Sequence, residues 1–183
     1  MKKKIAVILA DGFEEIEAVV PIDVFRRLEF EVVIAGFSKT VTGSHGIKIQ
    51  SDCLLSELRE PEFDAIFLPG GMPGSVNLRD SSEVLALVRK VNIRGGIVSA
   101  ICAAPIALKA AGVIDDKTIT SHPSVKNDLK GCNHTGKLTE ADGNIVTGKG
   151  PGAAFEFAVK VASALGKASE AGLLMENMFV HRM

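Results

Sequence analysis

From Ile5 to Ala10 the chain is apolar without a break, and the run stops abruptly at Asp11 and Gly12. A strand with one wet face alternates apolar and polar residues, so an unbroken apolar run marks a strand covered on both faces, as in a parallel sheet between two helix layers. Comparable runs recur at Val32 to Gly36, at Ile66 to Gly71, where the chain stops at a glycine turn, and at Ile97 to Ile101, which delivers Cys102. Between them the period changes. Glu14 to Leu28 sets Ile16, Val19, Val20, Val24 and Leu28 at helical spacing, which puts Ile16 and Val19 on the expected core face, with Glu14, Glu15 and Glu17 at the positive end and Pro21 as an expected kink. Ser82 to Val91, Ala103 to Ala111 closing at Gly112, Ala153 to Leu165 and Ser169 to Met178 read as further helices. Alternation around glycine from Gly43 to Cys53 and from Lys137 to Thr147 predicts hairpins that add edge strands to the sheet. The strand–helix order predicts an α/β fold: a flavodoxin-like three-layer α/β/α sandwich with a mainly parallel central sheet and edge hairpins, as one domain over residues 1–183.

Composition narrows the function classes. Lys and Arg number 21 against 22 Asp and Glu, for a net charge of −1, so no basic field is available to hold a phosphate backbone, and nucleic acid is excluded as a partner. Lys2 to Lys4 ahead of an apolar run superficially resemble a leader, but the run is short and Asp11, Glu14, Glu15 and Glu17 follow at once. No stretch reaches the roughly 18 apolar residues of a membrane span. Cys53, Cys102 and Cys132 form an odd set without C-x-x-C spacing, which argues against a disulfide framework and against a zinc site, so the expected metal complement is none and the expected compartment is the reducing cytoplasm.

In a doubly wound sheet, function gathers at the carboxyl ends of the strands. Three loops converge there: Asp11 to Glu15, Pro69 to Gly74, and the turn at Cys102. A thiol at a strand-to-helix turn meets unpaired N–H groups and the helix dipole, which favour a thiolate nucleophile, and Ala100 and Ala104 supply the small neighbours that a tight elbow needs. A buried cysteine packed under a helix is the alternative reading of the same pattern. Of the acidic residues, Glu15 is the expected crevice carboxyl, able to hold the sulfur and shuttle protons, while the others complement the helix dipole. Gly70 and Gly71, with the Ala103 N–H, are candidates for an oxyanion hole. The Gly70 to Gly74 loop lacks the Lys-Ser/Thr ending of a phosphate loop. His122, after the apolar Thr118 and Ile119, is a candidate assisting base on an expected core strand. His134 and His181 carry no assignment, and Cys53 and Cys132 read as loop residues.

These residues together carry a resemblance. The chain resembles the ThiJ/PfpI superfamily, related to the class I glutamine amidotransferases, and most closely its branch containing the parkinsonism-associated protein deglycase. The likeness rests on Ala6 to Glu15, Pro21 to Arg27, Leu68 to Gly71, Ala100 to Pro105, His122 with Pro123, and Gly150 to Phe157. It implies Cys102 as the reactive nucleophile, Glu15 as the carboxyl that bonds its sulfur, His122 as the nearby histidine, and the N–H groups of Gly71 and Ala103 as the oxyanion or sulfinate ligands. It also implies a homodimer packed through the helix that carries Asp23 and Arg27.

The chain departs from parts of that superfamily. The protease branch places a histidine directly after the nucleophile, where this chain has Ala103; relatives carry an arginine near the dimer contact where this chain has His45; and Met72 stands where some have a polar residue. The resemblance therefore implies a cofactor-independent glyoxalase III or deglycase acting on α-oxoaldehydes such as methylglyoxal, or on glycated protein. A redox-sensing stress protein or chaperone that uses an oxidisable cysteine is the alternative, with another cysteine hydrolase of the superfamily behind it.

Overall fold

The computed structural model describes residues 2–58 and 63–180. Strand β1 (Lys4–Leu9) passes through a turn at Gly12 into helix α1 (Glu15–Arg27), and β2 (Glu31–Gly36) returns beside it. The hairpin β3 (Thr40–Thr42) and β4 (Lys48–Gln50) comes next, then β5 (Cys53–Leu54), β6 (Ala65–Leu68), α2 (Gly74–Asp80), α3 (Ser82–Ile93) and β7 (Ile97–Ile101). Helix α4 (Pro105–Ala110) leads to β8 (Thr118–Ile119), β9 (Asn133–His134), β10 (Thr139–Asp142) and β11 (Ile145–Gly148), and α5 (Ala154–Ala164) and α6 (Ala168–Asn177) close the chain.

The seven-stranded sheet runs β10-β11-β7-β6-β1-β2-β5, and every pair is parallel except β10 with β11. Its unbroken apolar strands split their side chains between two cores. Ile5, Val7 and Leu9 face one, with Phe25, Phe67 and Phe157; Ala6, Ile8 and Ala10 face the other, with Leu78, Val84 and Leu108. Helices α1, α5 and α6 cover the first face and α2, α3 and α4 the second, giving the expected three layers. The winding direction reverses between β1 and β6, because the chain goes outward from β1 to β2 and later in the opposite direction from β6 to β7 and β11. The crevice opens at that reversal, outside the carboxyl ends of the strands.

Several expectations need correction. Helix α1 buries Glu15, Glu17, Ala18, Pro21, Ile22, Val24 and Phe25, whereas Ile16 and Val19 are 52% and 46% exposed. The segment carries two apolar stripes, and the one holding Phe25 fills the core, where it meets Phe30 and Phe67 edge-on. The helix continues past Pro21, which gives up only the bond that its missing N–H would have made to the Glu17 carbonyl. The Gly43 to Cys53 hairpin does not join the main sheet: β3 and β4 pair only with each other, and β5 alone reaches the edge beside β2. The second hairpin does join it, with β11 as an interior strand and β10 at the edge. Strand β8, placed by sequence in the core sheet, pairs instead with β9 in a separate ribbon.

Candidate functional site

The nucleophile candidate sits at the carboxyl end of β7 in a strained turn. Cys102 has φ of +62°, a left-handed backbone that residues with a side chain seldom adopt. Two backbone bonds hold it there: the Cys102 N–H donates to Gly148 C=O at 2.8 Å, and the His122 N–H donates to Cys102 C=O at 2.8 Å. Helix α4 begins only at Pro105, not at Ala103, because the elbow uses the residues between and proline suits a first helical position. The sulfur therefore meets turn amides rather than a helix end, and the N–H groups of Ala103 and Gly71 reach it.

The carboxyl beside the sulfur is Glu17, not Glu15. Glu17 lies one turn ahead of Pro21 on the buried stripe of α1 and is fully enclosed, and neither oxygen has a hydrogen-bond partner of good geometry. It shares the wall at Gly70 with Cys102: a Cβ on Gly70 would collide with both the Glu17 carboxyl and the Cys102 side chain, which is why only glycine fits. Gly71, at φ of +93°, packs on the backbone of Glu14 and Gly12 just as closely.

Burial, opposed by the Cys102 thiol and the Gly70 N–H and assisted by the charge of Glu14, pushes the Glu17 carboxyl up to about 7. Burial, with the charge and hydrogen bond of Glu17 behind it, pushes the Cys102 thiol up to about 12, against the pull of the Ala103 and Gly71 N–H groups. The simple expectation of a thiolate favoured by a helix dipole is thus replaced. Sulfur and carboxyl share protons: one leaves the pair near neutrality and the other is held far into alkali. When the retained proton sits on Glu17, the sulfur is a thiolate receiving the carboxyl O–H and two backbone N–H groups.

Glu15 points into a different part of the molecule. Its carboxylate accepts the His45 N–H at 2.7 Å and the Ile47 N–H at 3.3 Å, and bonds the His45 Nδ1 at 2.9 Å and the Ser44 Oγ at 3.3 Å. Burial alone would raise its pKa, but the His45 ring and these N–H groups outweigh that and hold it at about 2. It organises the turn at Gly43 to Gly46 and takes no part in the sulfur's surroundings. Glu14, Glu15 and His45 bring potential metal-ligand atoms within 4.8 Å of one another. The Glu15 oxygens are already occupied by N–H donors and the positive end of α1 opposes a cation, so the group reads as an ion-paired turn.

His122 stands next to the elbow through its backbone, with an exposed ring whose Nδ1 accepts the Ser124 N–H at 3.2 Å and bonds the Ser124 Oγ at 2.7 Å. An accepting Nδ1 places the ring proton on Nε2. His134 bonds the buried Ser121 hydroxyl at 2.9 Å, Cys132 donates to Ile114 C=O at 3.1 Å, and Cys53 lies in the edge strand β5; none enters the crevice. Met72 is 55% exposed at the rim of the glycine loop. His181 lies outside the described residues. Glu17 was the residue that sequence reasoning missed, and its signal was present: Glu17, Pro21, Val24, Phe25 and Leu28 follow an i, i+4, i+7, i+8, i+11 stripe.

Comparison with known proteins agrees with this architecture. The DJ-1/PfpI family profile matches residues 3–164. Protein dj-1beta of Drosophila melanogaster is 41% identical over 170 residues, covering 90% of each chain, and its crystal structure superposes with a TM-score of 0.95 at 37% identity over 100% of both chains. The glutathione-independent glyoxalase DJR-1.2 of Caenorhabditis elegans is 33% identical over 167 residues, covering 90% of this chain and 89% of its own. With the profile spanning most of its length and relatives 33% and 41% identical over nine-tenths of it, the chain belongs to the DJ-1/PfpI family.

Proposed function

We propose that this protein is a glutathione- and cofactor-independent glyoxalase of the deglycase type that acts on α-oxoaldehydes such as methylglyoxal, free or as protein adducts. The observation that carries the reading is the Cys102–Glu17 pair, a sulfur and a carboxyl sharing protons in a buried crevice under two backbone N–H groups. The similarity to a glutathione-independent glyoxalase supports it.

In this scheme the Cys102 thiolate attacks the aldehyde carbon, a C–S bond forms, and the carbonyl electron pair moves to oxygen, held by the Gly71 and Ala103 N–H groups. Glu17 gives its proton to that oxygen. The carboxylate so formed removes the proton from the same carbon, the electron pair passing to the neighbouring carbonyl oxygen as an enediolate; that proton returns to the neighbouring carbon and the hydroxyl proton passes from the first oxygen to the second, leaving a thioester of the 2-hydroxyacid. Water, with His122 assisting, then cleaves the C–S bond, releasing the hydroxyacid and restoring the sulfur; the sum is aldehyde plus water to hydroxyacid. Glu17 takes the role that sequence gave to Glu15, since the Glu15 carboxylate is committed to the His45 turn. Loss of methylglyoxal with purified protein tests the scheme: Cys102→Ser is expected to be inactive, and turnover equal to wild type would overturn it.

A redox-sensing role is the second reading, favoured by the same N–H groups, which suit the oxygens of a sulfinate. It predicts a two-oxygen mass gain at Cys102 under mild peroxide. The working form in either case is proposed to be a cytoplasmic homodimer, for which the exposed Ile16 and Val19 on α1 and the neighbouring Ile47, 56% exposed, offer an apolar face.

A further inference from the structure

Glutamate is an unusual residue for a helix N-cap, where serine, threonine, aspartate and asparagine hold the first-turn N–H groups with shorter side chains. Glu14 occupies that place on α1, with its Oε2 accepting the Glu17 N–H at 2.9 Å and its side chain only 13% exposed. Its backbone N–H donates to Gly70 C=O at 2.9 Å. Fixing that carbonyl fixes the plane of the Gly70–Gly71 peptide, and so the direction of the Gly71 N–H that reaches the sulfur. One residue therefore ties the glycine loop to the helix turn that carries Glu17. Serine could make the cap bond without the charge, which leaves the carboxylate itself to be explained.

Resting on the reading of Cys102 and Glu17 as the working pair, we propose that Glu14 is a positioning residue: its two hydrogen bonds set the Gly71 amide and the Glu17 carboxyl against Cys102, and its negative charge keeps their shared proton on Glu17 rather than on the sulfur. The groups that face Glu17 are Cys102 from the turn after β7, the Gly70 amide from the loop after β6, and Glu14 from its own helix. The charge of Glu14 acts on Glu17, while Glu17 supplies the charge that acts on Cys102. Removing the Glu14 charge thus makes the carboxyl a poorer proton holder with no matching gain for the sulfur, and the proton moves to sulfur. His45 Nδ1 lies 3.9 Å from Glu14 Oε1 and offsets part of that charge when protonated, so a His45→Asn background removes its titration from the curve.

The test is the thiolate absorbance at about 240 nm from about pH 5 to about pH 10, with Cys102→Ser as blank. Glu14→Gln keeps an oxygen for the cap bond and drops the charge. It is expected to lower the plateau thiolate-to-thiol ratio about threefold and to move the first midpoint toward acid by less than about half a unit. Glu14→Asp, which keeps both cap and charge, is expected to overlay wild type. Glu14→Ser carries the same expectation as Glu14→Gln if the latter does not fold. A Glu14→Gln curve that overlays wild type overturns the proposal, as does a Glu14→Asp curve displaced as far as Glu14→Gln. Because absorbance requires no turnover, expected shifts in a protein without glyoxalase activity would uphold the role of Glu14 and remove only the reaction. Absence of any Cys102 signal across the range would remove the pair and this proposal together.

Discussion

At the scale of residues, the proposed site rests on two side chains that would each be a poor catalyst alone. A thiol buried by itself would be an inert small apolar group at neutral pH, and a carboxyl buried by itself an acid with nothing to protonate; in the pair, burial with the charge and hydrogen bond of Glu17 pushes Cys102 up to about 12, and burial pushes Glu17 up to about 7. Side by side, the carboxyl can keep the proton and free the sulfur. Glu17→Gln separates the two halves of this arrangement. It keeps a donor for the sulfur but can neither give nor take a proton, so methylglyoxal turnover is expected to fall by about 100-fold or more for want of a proton carrier, while iodoacetamide alkylation of Cys102 near neutral pH persists. Glu15→Gln is expected to spare turnover to within a few-fold. A drop in turnover for Glu15→Gln equal to that of Glu17→Gln would return the proton carrier's role to Glu15.

At the scale of elements, helix α1 shows what could be read from the residues and what could not. Its existence and bounds were legible within a residue, as were β7 and the position of Cys102 at its end. Its rotation was not, because Ile16, Val19 and Val20 make one apolar stripe and Pro21, Val24, Phe25 and Leu28 another, and periodicity cannot rank two stripes on one helix. Choosing the wrong stripe moved the crevice carboxyl by two residues. The His45 turn was illegible for a different reason: it is held by a side chain 30 positions away, with no local signal. That turn should respond to pH. Glu15 is depressed from an ordinary 4.5 to about 2, so its contribution is present above 4.5 and lost as pH falls toward 2. His45 is raised above an ordinary 6.5 by the hydrogen bond and charge of Glu15, so its contribution is complete below 6.5 and lost as pH rises through the raised value. The melting-temperature gap between wild type and His45→Ala is expected to be widest between 4.5 and 6.5 and to narrow on both sides. A gap that is flat with pH would mean that the ring contributes packing alone.

At the scale of the whole molecule, the sheet was readable because its central strands β1 and β6 are apolar on both faces and therefore have to lie between two helix layers, with Phe67 of β6 meeting Phe25 edge-on and Phe157 at a tilt, at centroid distances of 6.3 and 5.1 Å. The short ribbon of β8 and β9 was misplaced because two apolar residues fit an edge, a ribbon or a core equally well. The same logic bears on what the outer face of α1 is for. A core helix needs one apolar stripe, and this one spends its second on solvent, with Ile16 and Val19 about half exposed. Asp23 and Arg27, expected at a dimer contact, bond each other at 2.8 Å along that helix, so they need no partner for their charges and would flank an apolar seam as a neutral pair. A two-fold packing of α1 against its copy would bury the second stripe. Ile16→Asp places a charge in the seam without touching the buried stripe. Multi-angle light scattering is expected to give twice the 19.3 kDa chain mass for wild type and a single chain mass for the variant, with the melting transition still cooperative. A wild type that runs as a monomer at the same concentration would show that the stripe has another occupant, and a dimeric Ile16→Asp would move the seam away from α1.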